Sequence, residues 1–210
     1  MPERLLEQNR RPQFVEGEIL LIPLQEFDIK AAVCTSQGEE ERLRARIDLI
    51  GGDNGYKPNR LPDGRLILLS GREVNAYAFE NPFTTDSGNR TDAIYLYRFV
   101  EPELEFLMQY LGPKHNEQVK DIYSTSFHGG HGPEYFAVLA GTVYISDGHR
   151  ARKLTRGQLE LLPENDNHIC YTLGEPTVTA ILKRGDLSHK WLPKPELQDL
   201  IRQAKLLEKK

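Results

Sequence analysis

"FHGGHGPEYFAVLAG", residues 127–141, sets His128 and His131 three positions apart and just ahead of Glu134. The whole chain holds six histidines, so this concentration of imidazole beside a carboxylate asks for a reason. Past Glu134 the stretch runs apolar to Gly141, as a strand does when it is entered through a flexible Gly-Gly turn. The stretch is either simply such a strand or one half of a metal site, whose other half would then lie elsewhere in the chain.

The histidines (115, 128, 131, 149, 168 and 189) all follow residue 114, and the first half offers no comparable ligand set. "GQLELLPENDNHICYT" (157–172) supplies the complement, with Gly157 six positions before Pro163 and His168 five after it. Alternate side chains of a strand share a face. Glu134, Phe136, Val138 and Ala140 therefore point one way, and His168, Cys170 and Thr172 share a face of their own strand. If the two strands are barrel neighbours, Glu134 and His168 point inward together, joined by a histidine from the glycine-rich entry. A carboxylate inside an apolar barrel is costly unless paired or bound to a metal. Imidazoles with one carboxylate leave coordination positions open and suit Fe(II), Mn(II), Ni(II) or Zn(II).

These two stretches resemble the paired signature motifs of the cupin superfamily. The first family motif is His-x-His, then Glu, six residues and Gly; the second is Gly, five residues, Pro-x-Gly, two residues, His, three residues and Asn. The resemblance covers residues 120–185, with three departures. The family's second histidine falls at Gly130, one position before His131; Asn165 stands for a glycine, and Thr172 for the final asparagine. It implies a metal site of His128, His131, Glu134 and His168, with Fe(II) first among the metals. His131 joins only if a one-residue bulge at Gly129-Gly130 resets the alternation, because positions 128 and 131 differ by an odd number. Without the bulge the set is two histidines and a carboxylate.

Short runs rich in Val, Ile, Leu, Thr and Tyr fill the rest of the chain between Gly and Pro. Strands are expected at 18–24, 29–35, 46–50, 65–70, 73–79 and 93–99, then at 121–127, 134–140, 142–145, 159–162, 168–172 and 177–183. Asp147-Gly148 marks a hairpin between two of them. Two helices are expected. "EPELEFLMQYLGP" (101–113) has an early Pro102, apolar Leu104, Leu107, Met108 and Leu111, and a Gly-Pro stop. "KPELQDLIRQAKLLEKK" (194–210) repeats the device with Leu197, Leu200, Ile201, Ala204 and Leu207. "GEEERLRAR" (38–46) reads as a charged turn or helical fragment, and "GGDNG" (51–55) as a loop. The fold class is therefore all-β: a cupin-like double-stranded β-helix (jelly-roll) barrel with an N-terminal β-rich extension and two peripheral helices. The organisation is a β-rich region, 1–112, followed by the barrel with its terminal helix, 113–210. The first region either completes the barrel, extends the sheet across a dimer or is a degenerate second cupin without ligands.

Bulk properties bound the function. With 210 residues, 39% hydrophobic and 28% charged, the chain suits one large domain or a domain with an extension. A formal charge of -4 argues against a sequence-independent nucleic-acid binder. The polar opening is not a signal peptide, and no apolar run reaches the roughly 20 residues of a membrane span; a cytoplasmic location is expected. Cys34 and Cys170 read as reduced core thiols, and Asn89-Arg90-Thr91 as a chance glycosylation triplet. His115, His149 and His189 read as exposed, and Tyr135 and Tyr171 as packed outside the barrel. Two amphipathic helices and a surplus of strands point to a homodimer.

The resemblance implies a small polar organic molecule as substrate or ligand. A divalent-metal enzyme follows, with dioxygenase chemistry ahead of sugar or sugar-phosphate isomerisation; a binding module without turnover is the alternative. Ser124, Ser126 and Thr172 are the candidate polar groups near the metal.

Overall fold

The computed structural model describes residues 11–23, 28–36, 38–49, 56–70, 79–80, 91–113 and 117–209. Along the chain run β1 (Gln13–Val15), β2 (Ile19–Pro23), β3 (Asp28–Cys34), α1 (Glu39–Leu49), β4 (Tyr56–Arg60) and β5 (Leu66–Ser70). Then come β6 (Phe79–Glu80), β7 (Ala93–Glu101), β8 (Leu104–Leu111), β9 (Tyr123–Ser124), β10 (His128–Gly129) and β11 (Glu134–Ala140). The last elements are β12 (Thr142–Ser146), β13 (Ala151–Thr155), β14 (Leu159–Leu162), β15 (Ile169–Thr172), β16 (Thr177–Arg184), β17 (Lys190–Trp191) and α2 (Leu197–Glu208).

These elements stack in layers. A five-stranded sheet, β1-β2-β3-β5-β4, lies against a six-stranded one, β14-β11-β16-β8-β7-β6, and that in turn faces a four-stranded one, β13-β12-β15-β9. Leu20, Ile29 and Leu69 meet Phe106, Met108 and Val178 in the first interface. Phe136, Val138 and Ile181 meet Val143, Ile145 and Cys170 in the second, which is the barrel interior. Each outer face carries a helix: Leu43 and Ile47 of α1 pack on the five-stranded sheet, and Leu200 and Ala204 of α2 pack on Tyr144 and Tyr171. Phe136 is fully buried at the heart of the barrel. Its truncation to Ala would cost on the order of 3–5 kcal/mol.

The layering explains where the sequence expectations fail. The helix expected at 102–111 is instead β8, hairpinned to β7 through Pro102-Glu103, with Glu103 in the left-handed region at φ 62. Every residue of β8 is buried. A central strand covered on both faces needs no polar alternation, and an unbroken apolar run imitates helical spacing. The amphipathic face that counted toward a dimer is thus consumed inside the sheet. The strand expected at 46–50 falls mostly within α1, where Leu43 and Ile47, one helical turn apart, share the buried face. Its start is closed by Glu39, whose carboxylate accepts the backbone N–H groups of Thr35 and Ser36.

Strands 134–140 and 159–162 fall where expected, and the Asp147-Gly148 turn joins β12 to β13. β13 was missed, since "ARKLT" has one buried side chain, Leu154. The 73–79 strand reaches the described residues only at Phe79; Gly51–Gly55, Asn89-Arg90 and His115 lie outside them. β8 pairs along its whole length with β16, so the six-stranded sheet draws strands from both sides of residue 112.

Candidate metal centre

Four candidate ligand side chains converge between the facing sheets. β11 begins at Glu134, whose parity with Phe136 and Val138 turns its carboxylate inward. On the opposite side the chain enters β15 through His168, which bridges directly to His128 of β10. Their backbones exchange both hydrogen bonds, His128 N–H to His168 O at 3.0 Å and His168 N–H to His128 O at 2.8 Å. The two rings stand 4.5 Å apart, edge to face.

His131 reaches the same point by another route. The expected bulge is absent. Instead β10 ends at Gly129, and Gly130 adopts φ 73, a left-handed conformation that glycine takes at no steric cost. The turn carries His131 back inward, fully buried, with its ring 5.4 Å from that of His168. One candidate donor atom from each of His128, His131, Glu134 and His168 lies within 4.8 Å of the others.

The hydrogen bonds fix what those atoms offer. Nδ1 of His128 contacts Ser126 O at 3.1 Å, that of His131 contacts Gly132 O at 2.7 Å, and that of His168 contacts Asp166 O at 3.2 Å. A carbonyl only accepts, so each Nδ1 donates to it, which leaves each Nε2 as the atom that would face a metal. His168 Nε2 stands 3.0 Å from Glu134 Oε1, and His131 Nε2 3.8 Å from Glu134 Oε2. Both Glu134 oxygens and His131 Nε2 are buried without a hydrogen-bond partner. A buried carboxylate faced by three imidazole nitrogens is a donor set that suits a cation. The residues fit a divalent metal.

The electrostatics agree. Burial drives the imidazoles of His128 and His131 below their ordinary pKa, keeping both neutral and able to ligate. For Glu134 burial pushes the other way, but the adjacent His168 and the Lys183 ammonium outweigh it and hold the carboxyl below its usual range. Lys183 lies opposite Glu134 on β16, its Nζ 3.5 Å from Oε2.

Lys183 and His189 are the site residues that sequence reasoning missed. His189, expected to be exposed, is half-buried, with its ring 5.2 Å from His128 and stacked 5.3 Å from Trp191. Lys183 Nζ lies 2.6 Å from His189 Nε2. Burial, aided by Lys183, lowers the His189 pKa to about 4, so the neutral ring accepts from the ammonium. A signal for Lys183 was present: it ends the apolar run "TVTAILK" at the same parity as the inward Ile181. His149 is exposed, as expected. Tyr135 and Tyr171 pack in the layers outside the barrel interior, and Cys170 is a buried thiol whose pKa burial raises well above normal. Ser126 lines the chamber beside the ligands, whereas the Thr172 hydroxyl donates to Glu175 O at 2.7 Å.

Two antiparallel sheets thus face each other around an inward cluster, with the Glu134 strand in one sheet and the strand that His168 leads into in the other. The position expected to need a left-handed residue, Asn165, has φ 62. The fold is a cupin-like double-stranded β-helix.

No family model and no curated protein matches the chain. Among solved structures, a cupin-like protein from Thermotoga maritima is 17% identical over 60% of this chain and 95% of its own, with a TM-score of 0.45. A DMSP lyase structure is 21% identical over 47% of this chain, with a TM-score of 0.37, and the match spans 51% of that protein. A sugar phosphate isomerase of the cupin superfamily from Silicibacter pomeroyi is 13% identical over 47% of this chain and 62% of its own, with a TM-score of 0.37.

Beside the ligands of this cupin-like barrel lies a chamber of about 330 Å³. Its floor is the inner face of β8 and β16, and its near wall is formed by His128 and His168. Among the described residues, no helix is long and apolar enough to cross a membrane.

Proposed function

We propose that the protein is a divalent-metal-dependent enzyme acting on a small polar organic molecule held in the barrel chamber. The observation that supports this reading is the convergence of lone pairs from His128, His131 and His168 on the buried Glu134 carboxylate, beside a cavity at the small end of the range for ligand sites. The metal is bound by these four residues, with Fe(II) the first choice and Mn(II), Ni(II) or Zn(II) compatible with the same donors. When bound, it supplies Lewis-acid activation of substrate oxygens and, as Fe(II), a centre for O2 chemistry. The chain's own part is to hold the ligand rings by their Nδ1–H bonds, to exclude water with Leu107, Phe136 and Ile181, and to keep Lys183 against Glu134.

Dioxygenase chemistry is the first reading, because three imidazoles and one carboxylate would leave a divalent metal free positions for substrate and O2. The Lys183–His189 contact favours a second, isomerase-type reading: a donor and an acceptor 2.6 Å apart beside the ligands can hand a proton to a substrate carbon or oxygen. Incubating the iron-loaded chain with a panel of small organic acids and sugars, with and without O2, separates the two. Oxygen uptake tied to substrate loss supports the first; solvent deuterium entering recovered substrate without oxygen uptake supports the second. No turnover with any metal would overturn both. A homodimer and a cytoplasmic location belong to the same proposal; a monomer mass by light scattering at micromolar concentration would remove the dimer.

A further inference from the structure

Resting on the metal-site reading above, we propose that the chamber selects a small organic anion with oxygen atoms at both ends, one end at the histidine cluster and the other hydrogen-bonded to Gln109. Two polar groups in the chamber wall lack partners among the described residues. Gln109 of β8 is 2% exposed and Ser126 is 3% exposed, yet Gln109 Nε2 and Ser126 Oγ make no hydrogen bond. Both residues line the cavity. A buried donor left unmade costs on the order of 1–3 kcal/mol, and a ligand oxygen reaching the chamber relieves that cost.

The two groups mark opposite ends. Ser126 precedes His128 by two residues. Gln109 pairs with Thr179, four residues along the sheet from the Glu105–Lys183 pair that adjoins Glu134. At ~3.3 Å per residue the two rows are about 13 Å apart along the strands. A single carboxylate cannot touch both.

Charge sets the ligand's sign. Arg98 and Glu105 neutralise each other, Nε to Oε1 at 2.8 Å. Glu134 offsets only part of a divalent ion together with Lys183, so the loaded chamber is positive. Leu107, Cys170 and Ile181 lie along the wall between the ends, which suits an aliphatic middle.

The test uses the full chain loaded with Co(II), whose visible bands report ligand entry, titrated with succinate, glutarate and adipate and, as controls, acetate and 1,4-butanediol. At least one dicarboxylate saturates the spectral change at lower concentration than acetate, and the diol leaves it unmoved. Gln109→Leu weakens that dicarboxylate about tenfold or more without changing acetate affinity or cobalt content; Ser126→Ala weakens it to a smaller degree. Equal response to diol and dicarboxylate, or an unchanged dicarboxylate affinity in folded Gln109→Leu and Ser126→Ala, overturns the proposal. Failure of cobalt to bind sinks the metal reading instead. Calorimetry with the same dicarboxylates on the metal-free chain, which keeps Lys183 at one end and Gln109 at the other, then reads the Gln109 end without the metal. No Gln109-dependent heat there overturns this proposal as well.

Discussion

His128 and His168 are joined twice by backbone and once by chemistry: their main chains exchange hydrogen bonds at 3.0 and 2.8 Å, while their rings meet edge to face at 4.5 Å. The backbone bridge holds the two ligands in register whatever their side chains are. His168→Ala is therefore expected to leave the barrel folded, with an unchanged far-ultraviolet circular dichroism spectrum, while losing stoichiometric metal. Full metal content in that variant would remove His168 from the site.

His131 decides between a four-ligand and a three-ligand centre. Its Nε2 is buried and unpartnered, facing Glu134, so His131→Ala is expected to raise the metal dissociation constant by at least the ~10–100-fold that changes just outside a ligand shell cost. A dissociation constant equal to that of the unaltered chain would leave His128, Glu134 and His168 as the whole set.

Lys183 stands in for part of the missing positive charge when no metal is bound, its Nζ 3.5 Å from Glu134. Breaking a buried charge pair costs about 3–5 kcal/mol. Lys183→Met should lower the metal-free melting temperature clearly and the metal-loaded one much less, because the ion then balances the carboxylate. Equal shifts in both forms would show that Lys183 acts only through packing.

Acid should destabilise the metal-free chain before its carboxylates titrate. The imidazoles of His128 and His131 are held below the ordinary 6.5 by burial, so as pH falls through about 6.5 the unfolded chain takes up protons that the folded one refuses. Stability then drops by up to about 1.4 kcal/mol per pH unit for each such group. The depressed Glu134 carboxyl adds its own loss only below its ordinary 4.5. Denaturant titrations between pH 7 and 5 check the slope, and His128→Gln should reduce it. A flat profile in that interval would contradict neutral buried imidazoles.

Much of the site was legible because its two signatures are local. Glu134 with Gly141, and Gly157 with Pro163 and His168, carry their spacing inside single strand-turn units. The strand boundaries at 134–140 and 159–162 follow from the same turns. His131 was legible as a candidate ligand but not by its route, since a turn at Gly130 and a bulge leave the same residues in sequence. His189 and Lys183 were hidden because their place depends on β17 pairing with β10 and on the register of β16 against β11, which are contacts between distant segments. β8 was misread for a related reason. A strand buried on both faces shows its neighbours only in three dimensions, and its apolar run fits a helix equally well.

The cluster of His128, His131, Glu134 and His168 is expected to hold a metal. Elemental analysis of the full chain, purified without chelator and then dialysed against Fe(II), Mn(II), Ni(II) or Zn(II) in turn, tests it most directly. About one tightly held ion per chain is expected for at least one of these metals, since three histidines and one glutamate converge on a single point. A chain that retains none of them, with the barrel intact by circular dichroism, would contradict it.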